Sequence, residues 1–148
     1  MDAKALRRGI SLSCYSLDAG WRKPNAGKYV RLYADSGGQS HFLDLERELS
    51  LVDFAPSAPP LFISPIYPAA QVSFFGAPAG WNSDWHPSSG RNLFCVISGE
   101  WEISASDGEV RRFSQGEVML VEDTIGKGHT SRVISDVESL ALLIALDS

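Results

Sequence analysis

The amino-acid sequence predicts an all-β domain, a sandwich or barrel of short strands around one interior. Short runs rich in β-branched and aromatic residues recur from residue 28 to residue 146. Clusters of Gly, Pro, Asp and Ser separate them at even spacing, the pattern of antiparallel barrels rather than of βαβ units. Helix is expected only near residues 2 to 8, and no internal repeat is visible.

Lys28-Tyr-Val-Arg-Leu-Tyr33 reads as the first strand, closed by the turn Asp35-Ser-Gly-Gly38. In His41-Phe-Leu-Asp-Leu-Glu46, strict alternation puts His41, Leu43 and Leu45 on one face. Asp53 to Pro68 holds prolines at 56, 59, 60, 65 and 68, so it cannot be a central strand. It is expected to run extended over the body or to a partner. Gln71 to Phe75, Arg91 to Ser98 and Trp101 to Ala105 follow as strands, the last two joined at Gly99-Glu100. Asp107-Gly108 is a tight hairpin signal before Glu109 to Phe113. Glu117 to Val121, Thr130 to Ile134 and Leu140 to Leu146 complete the series.

At 148 residues the chain fits one domain, divided here into an N-terminal extension over 1–27 and a barrel over 28–148. An apolar fraction of 44% is ordinary for a globular protein. The net charge of -5 argues against a phosphate-backbone binder, which needs a basic face. The longest apolar stretch near the C-terminus, Leu140 to Leu146, has seven residues, against the roughly twenty that span a bilayer. Ser11, Ser13, Ser16 and Asp18 interrupt any secretory h-region after Arg7 and Arg8. With Cys14 and Cys95 far apart, reduced thiols in a cytoplasmic protein are expected.

One spacing stands out. Gly80 is followed after five residues by His86-Pro-Ser88, after three more by Asn92, and after six more by Gly99. Downstream, Gly116 precedes Gly126-Lys-Gly-His129. The first frame resembles the first motif of the cupin superfamily: Gly, five residues, His-x-His, three or four residues, Glu, six residues, Gly. Ser88 stands in place of the second His and Asn92 in place of the Glu. The second set is similar to the second cupin motif, with two extra residues, Thr124 where Pro is usual and Val133 where Asn is usual. The chain also resembles small single-domain bacterial cupins of largely unassigned role, through Ser40-His41-Phe42, the Trp85-His86-Pro87 turn and the loop from Glu122 to His129. The resemblance implies a cupin β-barrel, a jelly-roll-like double-stranded β-helix, with a compact ligand in its interior.

A metal-holding cupin supplies three imidazoles and a carboxylate. Here the inherited set shrinks to His86 and His129, which leaves the expectation of no cofactor or a weakly bound divalent metal such as iron, zinc, nickel or manganese. His41 can restore a third imidazole, giving His41, His86 and His129 as metal candidates; Asp84 and Glu122 are further donors in loops. The alternative use is acid–base chemistry, because an imidazole exchanges protons near neutral pH. His86, His129 and Asn92 are then the catalytic candidates. Ser88, Arg91, Lys127, Trp85, Phe94 and His41 are the substrate-binding ones, with Arg91 and Lys127 holding an anionic group at the mouth. Asn92 should share its inward face with Phe94 and Val96.

Each residue also has a plainer reading. His86 in its turn can cap a carbonyl, His41 can be a satisfied strand histidine, and Glu122-Asp123 can be ordinary loop carboxylates. Cys95 fits as a small hydrophobe, and Trp81, Trp85 and Trp101 can pack under loops. Three functions follow: an isomerase, cyclase, dehydratase or lyase acting on a small oxygenated metabolite; a metal-dependent oxygenase using His41, His86 and His129; or a non-catalytic binder or sensor. Leu61, Phe62, Ile63, Ile66 and Tyr67 in the Pro-rich segment, with edges at Lys28 to Tyr33 or His41 to Glu46, lead to the expectation of a homodimer.

Overall fold

The computed structural model describes residues 24, 27–55 and 57–147. The helix expected near residues 2 to 8, the residues from Ser11 to Asp18 and Cys14 lie outside them.

Eleven strands form among the described residues, and no helix. They are β1 Tyr29–Ala34, β2 Ser40–Leu45, β3 Ser50–Val52, β4 Leu61–Ile63, β5 Ala69–Ala77 and β6 Asn92–Ser98. β7 Trp101–Ala105, β8 Val110–Phe113, β9 Val118–Glu122, β10 His129–Val133 and β11 Ser139–Leu146 complete them. Apart from β5, which runs longer at both ends, the strands expected from the sequence occur with their ends shifted by a residue or so, and Trp101–Ala105 is unchanged.

The described residues fall into two compact units, one of Lys28–Glu46 with Tyr67–Asp147 and one that includes Arg47–Ile66. In the second, β3 and β4 pair antiparallel with Leu51 opposite Phe62. The Pro-rich segment thus contains a short strand where the sequence reading had only extended chain. Leu61–Ile63 escapes the proline constraint because Pro60 and Pro65 flank the ladder instead of entering it.

The larger unit is a sheet of six strands in the order β2-β1-β9-β6-β11-β5 and a sheet of three in the order β10-β7-β8. Only β1 with β9 runs parallel; the other neighbours in these two sheets are antiparallel. β1 lies inside the sheet, so the expected free edge at Lys28 to Tyr33 does not exist; β2 and β5 are the edges. Alternation decides what faces inward. Asn92, Phe94 and Val96 of β6 are buried, while Leu93 and Cys95 lie on the other side and are only half-buried. Trp101, Ile103 and Ala105 do the same from β7. The two inner faces interlock: Phe94 and Trp101 meet edge to face at 5.4 Å, and Phe42 lies 6.3 Å from Phe113.

Alternation also settles His41. Its neighbours Ser40 and Phe42 are the buried residues of β2, so His41 points away from the interior with Leu43. The pairing of His41, Leu43 and Leu45 on one face is as the sequence suggested, but that face is the outer one.

Candidate functional site

Residues 81–86 lie beside β10 without forming a full strand. Trp81 O accepts from Val133 N at 2.8 Å, and Ser83 N donates to Ser131 O at 2.8 Å. At the end of this run His86 N donates to His129 O and His129 N to His86 O, both at 3.0 Å. The two backbones approach closely because residue 128 is Gly: a Cβ there would stand 2.0 Å from His86 O, and its φ of +75 is left-handed. Gly126 presses as tightly on the β1–β2 turn, its missing Cβ lying 1.9 Å from Gly38 O. Ser40 Oγ donates to Gly128 O at 2.7 Å and closes this junction.

The bridge aligns the two imidazoles, whose centroids are 4.6 Å apart at 56°. Both line a cavity of about 280 Å³ between the sheets. Its walls include Phe75, Trp81, Phe94 and Trp101, and Asn92, Ser88 and Ser131 add polar groups. His129 is buried, whereas His86 is exposed to solvent and comes from an extended segment, not from a strand.

Behind His129 stands Asp123, fully buried, with Oδ2 2.6 Å from His129 Nδ1. A carboxylate only accepts, so Nδ1 carries the hydrogen and a neutral His129 presents a lone pair at Nε2. Asp123 Oδ1 is buried and has no hydrogen-bond partner among the described residues. His86 is set in the same way: Nδ1 lies 2.8 Å from Asp84 O, a carbonyl that only accepts. Asp84 therefore acts through its backbone. Asp123, read from sequence as a loop carboxylate, is the site residue that reading missed; its place six residues before His129 was the only signal.

Not every candidate joins the site. Asn92 is inward as expected, but its Nδ2 donates to Gly90 O at 3.0 Å and Ser88 Oγ at 3.3 Å. Ser88 Oγ in turn donates to Gly90 O at 2.6 Å, so both build the turn that edges the cavity. Phe94 is a wall. Arg91 and Lys127 do not line the cavity, contrary to their expected hold on an anion. Arg91 Nε donates to Glu122 Oε2 at 2.8 Å, and Arg31 Nε donates to Glu122 Oε1. Burial pushes the Glu122 carboxyl up, but these two guanidiniums outweigh it and leave it below the ordinary glutamate range. Lys127 sits 3.9 Å over the exposed Trp85 ring, a cation–π contact outside the cavity.

His41 stands elsewhere. Its Nε2 is 2.8 Å from Asp35 Oδ2 and its Nδ1 2.8 Å from Asp107 Oδ2. The expected three-histidine centre is therefore not assembled, because the pleat of β2 turns His41 outward. Among the described residues no group of three His, Cys, Asp or Glu is placed to hold a metal. Asp123 is engaged by His129, and Ser88 and Asn92 are engaged by their turn. Two imidazoles do not fit a divalent ion that requires three or four good donors.

The two glycine-framed segments thus meet in space, joined by the His86–His129 bridge, on a cavity between two antiparallel-rich sheets. The domain has a cupin fold. No family model matches the chain, and no curated protein sequence matches it. Among solved structures, the chain is similar to a Cupin 2 conserved barrel domain protein from Salinispora arenicola (TM-score 0.45, 18% identity, 68% of this chain and 75% of that one). It is also similar to a conserved protein of unknown function from Streptococcus pyogenes (TM-score 0.40, 21% identity, 52% of this chain). A third is a Cupin 2 conserved barrel domain protein from Leptotrichia buccalis (TM-score 0.41, 20% identity, 51% of this chain). The chain spans 65% of the streptococcal protein and 35% of the Leptotrichia one. No described helix is long and apolar enough to cross a membrane.

Proposed function

We propose that the cavity binds a small oxygenated molecule and that His129 and His86 carry acid–base chemistry on it, of the isomerase, dehydratase, cyclase or lyase kind. The observation that carries this reading is the buried Asp123–His129 pair at 2.6 Å, facing the second imidazole at 4.6 Å. Asp123 fixes the tautomer and orientation of His129, so that Nε2 can take a proton from a ligand C–H or O–H. The imidazolium so formed rests against a carboxylate. His86, half in solvent, can return a proton to the ligand or pass it to water. Placement inside an apolar cavity is the usual form of such a site.

The test is hydrogen exchange. The protein is incubated in deuterium oxide with a panel of small ketones and aldehydes, and deuterium at the carbon beside the carbonyl is followed by proton NMR. The reading expects accelerated exchange for at least one compound, lost in His129→Gln. No acceleration across the panel, or acceleration that survives His129→Gln, contradicts it.

Self-association belongs to the same proposal. β5 ends the large sheet, with eight of its nine residues exposed, Val72 and Phe74 among them. An exposed apolar edge of this length favours pairing with a second copy. Light scattering at micromolar concentration should give a dimer mass; a monomer mass contradicts the pairing.

A further inference from the structure

Resting on that reading, we infer that the ligand is an uncharged compound with a single ring, bearing a hydroxyl or carbonyl oxygen at one end. Size sets the first limit. About 280 Å³ lies at the bottom of the range of ligand clefts, which leaves space for one ring and a short substituent. Shape sets the second. Trp81 and Phe94 both stand edge-on to Trp101, at 68° and 89°, and Phe75 packs at 79° to Phe94. Rings locked against each other in this way present flat, rigid walls, against which a planar ligand stacks at little entropic cost.

Charge sets the third limit. Every lining side chain among the described residues is apolar, aromatic, hydroxyl, amide or imidazole. The cations nearest in sequence to the site are engaged outside it: Arg91 by Glu122, Arg132 by Glu102, and Lys127 by the Trp85 ring. The buried carboxylate behind the site, Asp123, is turned to His129 Nδ1 and does not itself line the cavity. The lining therefore offers no carboxylate, ammonium or guanidinium to pair with an ion, while the aromatic walls would strip an ion of water without replacing its hydration. An uncharged hydroxyl can instead donate to Nε2 of His129, and a carbonyl oxygen can accept from that nitrogen once it has taken a proton.

Three probes of one shape separate these cases: benzamide, benzoate and benzylammonium. Each is titrated into the full chain, with quenching of tryptophan fluorescence, to which Trp81 and Trp101 contribute, and calorimetry as readouts. Benzamide should bind saturably and at least about tenfold more tightly than either ion, since the ions lose hydration without a partner. Trp81→Ala should weaken benzamide and leave the ions unchanged. Equal or tighter binding of benzoate or benzylammonium overturns the inference, and so does saturable binding of none of the three. The carbonyl-exchange assay separates this from the acid–base reading. Benzamide selectivity without any carbonyl exchange in the unmodified protein defeats the chemistry and leaves the ligand class standing; exchange with benzoate as the tighter probe does the reverse.

Discussion

His86 and His129 exchange two backbone hydrogen bonds of 3.0 Å, and this single bridge brings together two histidines that are far apart in sequence. The pair depends on a residue with no side chain. Gly128→Ala places a methyl 2.0 Å from His86 O at a φ of +75, where backbone cannot yield without parting the bridge. We expect a folded protein destabilised by about 2–4 kcal/mol, from left-handed strain together with the lost bridge. Thermal unfolding measures the first effect, and loss of nuclear Overhauser contacts between the two imidazoles measures the second.

Asp123→Asn should act on chemistry more than on stability. An amide can donate to Nδ1 of His129 and so move the ring hydrogen to Nε2, the wrong tautomer for a base. Carbonyl exchange should fall by about 10²–10⁴-fold, the range for loss of a positioned general base. Stability should change by no more than about 1–3 kcal/mol, because Oδ1 already has no partner in the described structure. Unchanged exchange in this variant would separate Asp123 from the mechanism.

His41 supplies a pH-dependent clamp between the turn at Asp35 and the hairpin at Asp107. Its hydrogen bonds to Asp35 and then Asp107 raise its pKa above the ordinary imidazole value. A raised folded-state pKa gives stabilisation fully present below the unfolded value, about 6.5, and lost as pH rises through the folded one. The His41 hydrogen bond also holds the Asp35 carboxyl below its usual range, so that contribution is lost only as pH falls through the depressed value. Thermal unfolding of His41→Asn should therefore differ most from the unmodified protein at mildly acidic pH and converge with it in alkali. Carbonyl exchange should be untouched, since His41 lies on the outer face; a loss of exchange would return His41 to the site.

Trp101→Phe probes the wall and the core together. Trp101 is 1% exposed, and its Nε1 donates to Ser139 Oγ at 2.5 Å. The substitution should cost about 2–4 kcal/mol, from lost packing plus the lost partner of a buried hydroxyl. A smaller denaturation shift than about 1 kcal/mol would show that this wall is loosely packed.

Much of this was legible in the chain, and the limits have physical causes. Strand positions follow from alternation, which carries its own signal, and the inward turn of Asn92 follows from the same rule. The meeting of His86 with His129 came from motif spacing. Alternation cannot say which face is the core, so His41 was placed with the right companions and on the wrong side. Glu122 and Asp123 are adjacent acids where a strand ends. One turns to Arg31 and Arg91 and the other behind His129, a choice made by partners distant in sequence. Arg91 and Lys127 were drawn to an imagined anion for the same reason: their actual partners, Glu122 and Trp85, appear only in three dimensions.

The most direct test of the central claim is the tautomeric state of the two rings. Long-range proton–nitrogen NMR on histidine-labelled protein, at a pH where both are neutral, reads which nitrogen carries the hydrogen. The structure predicts hydrogen on Nδ1 in both His86 and His129, held by Asp84 O and Asp123 Oδ2, with Nε2 bare. Asp123→Asn should move it at His129 and leave His86 unchanged. Hydrogen on Nε2 of His129 in the unmodified protein would contradict the account.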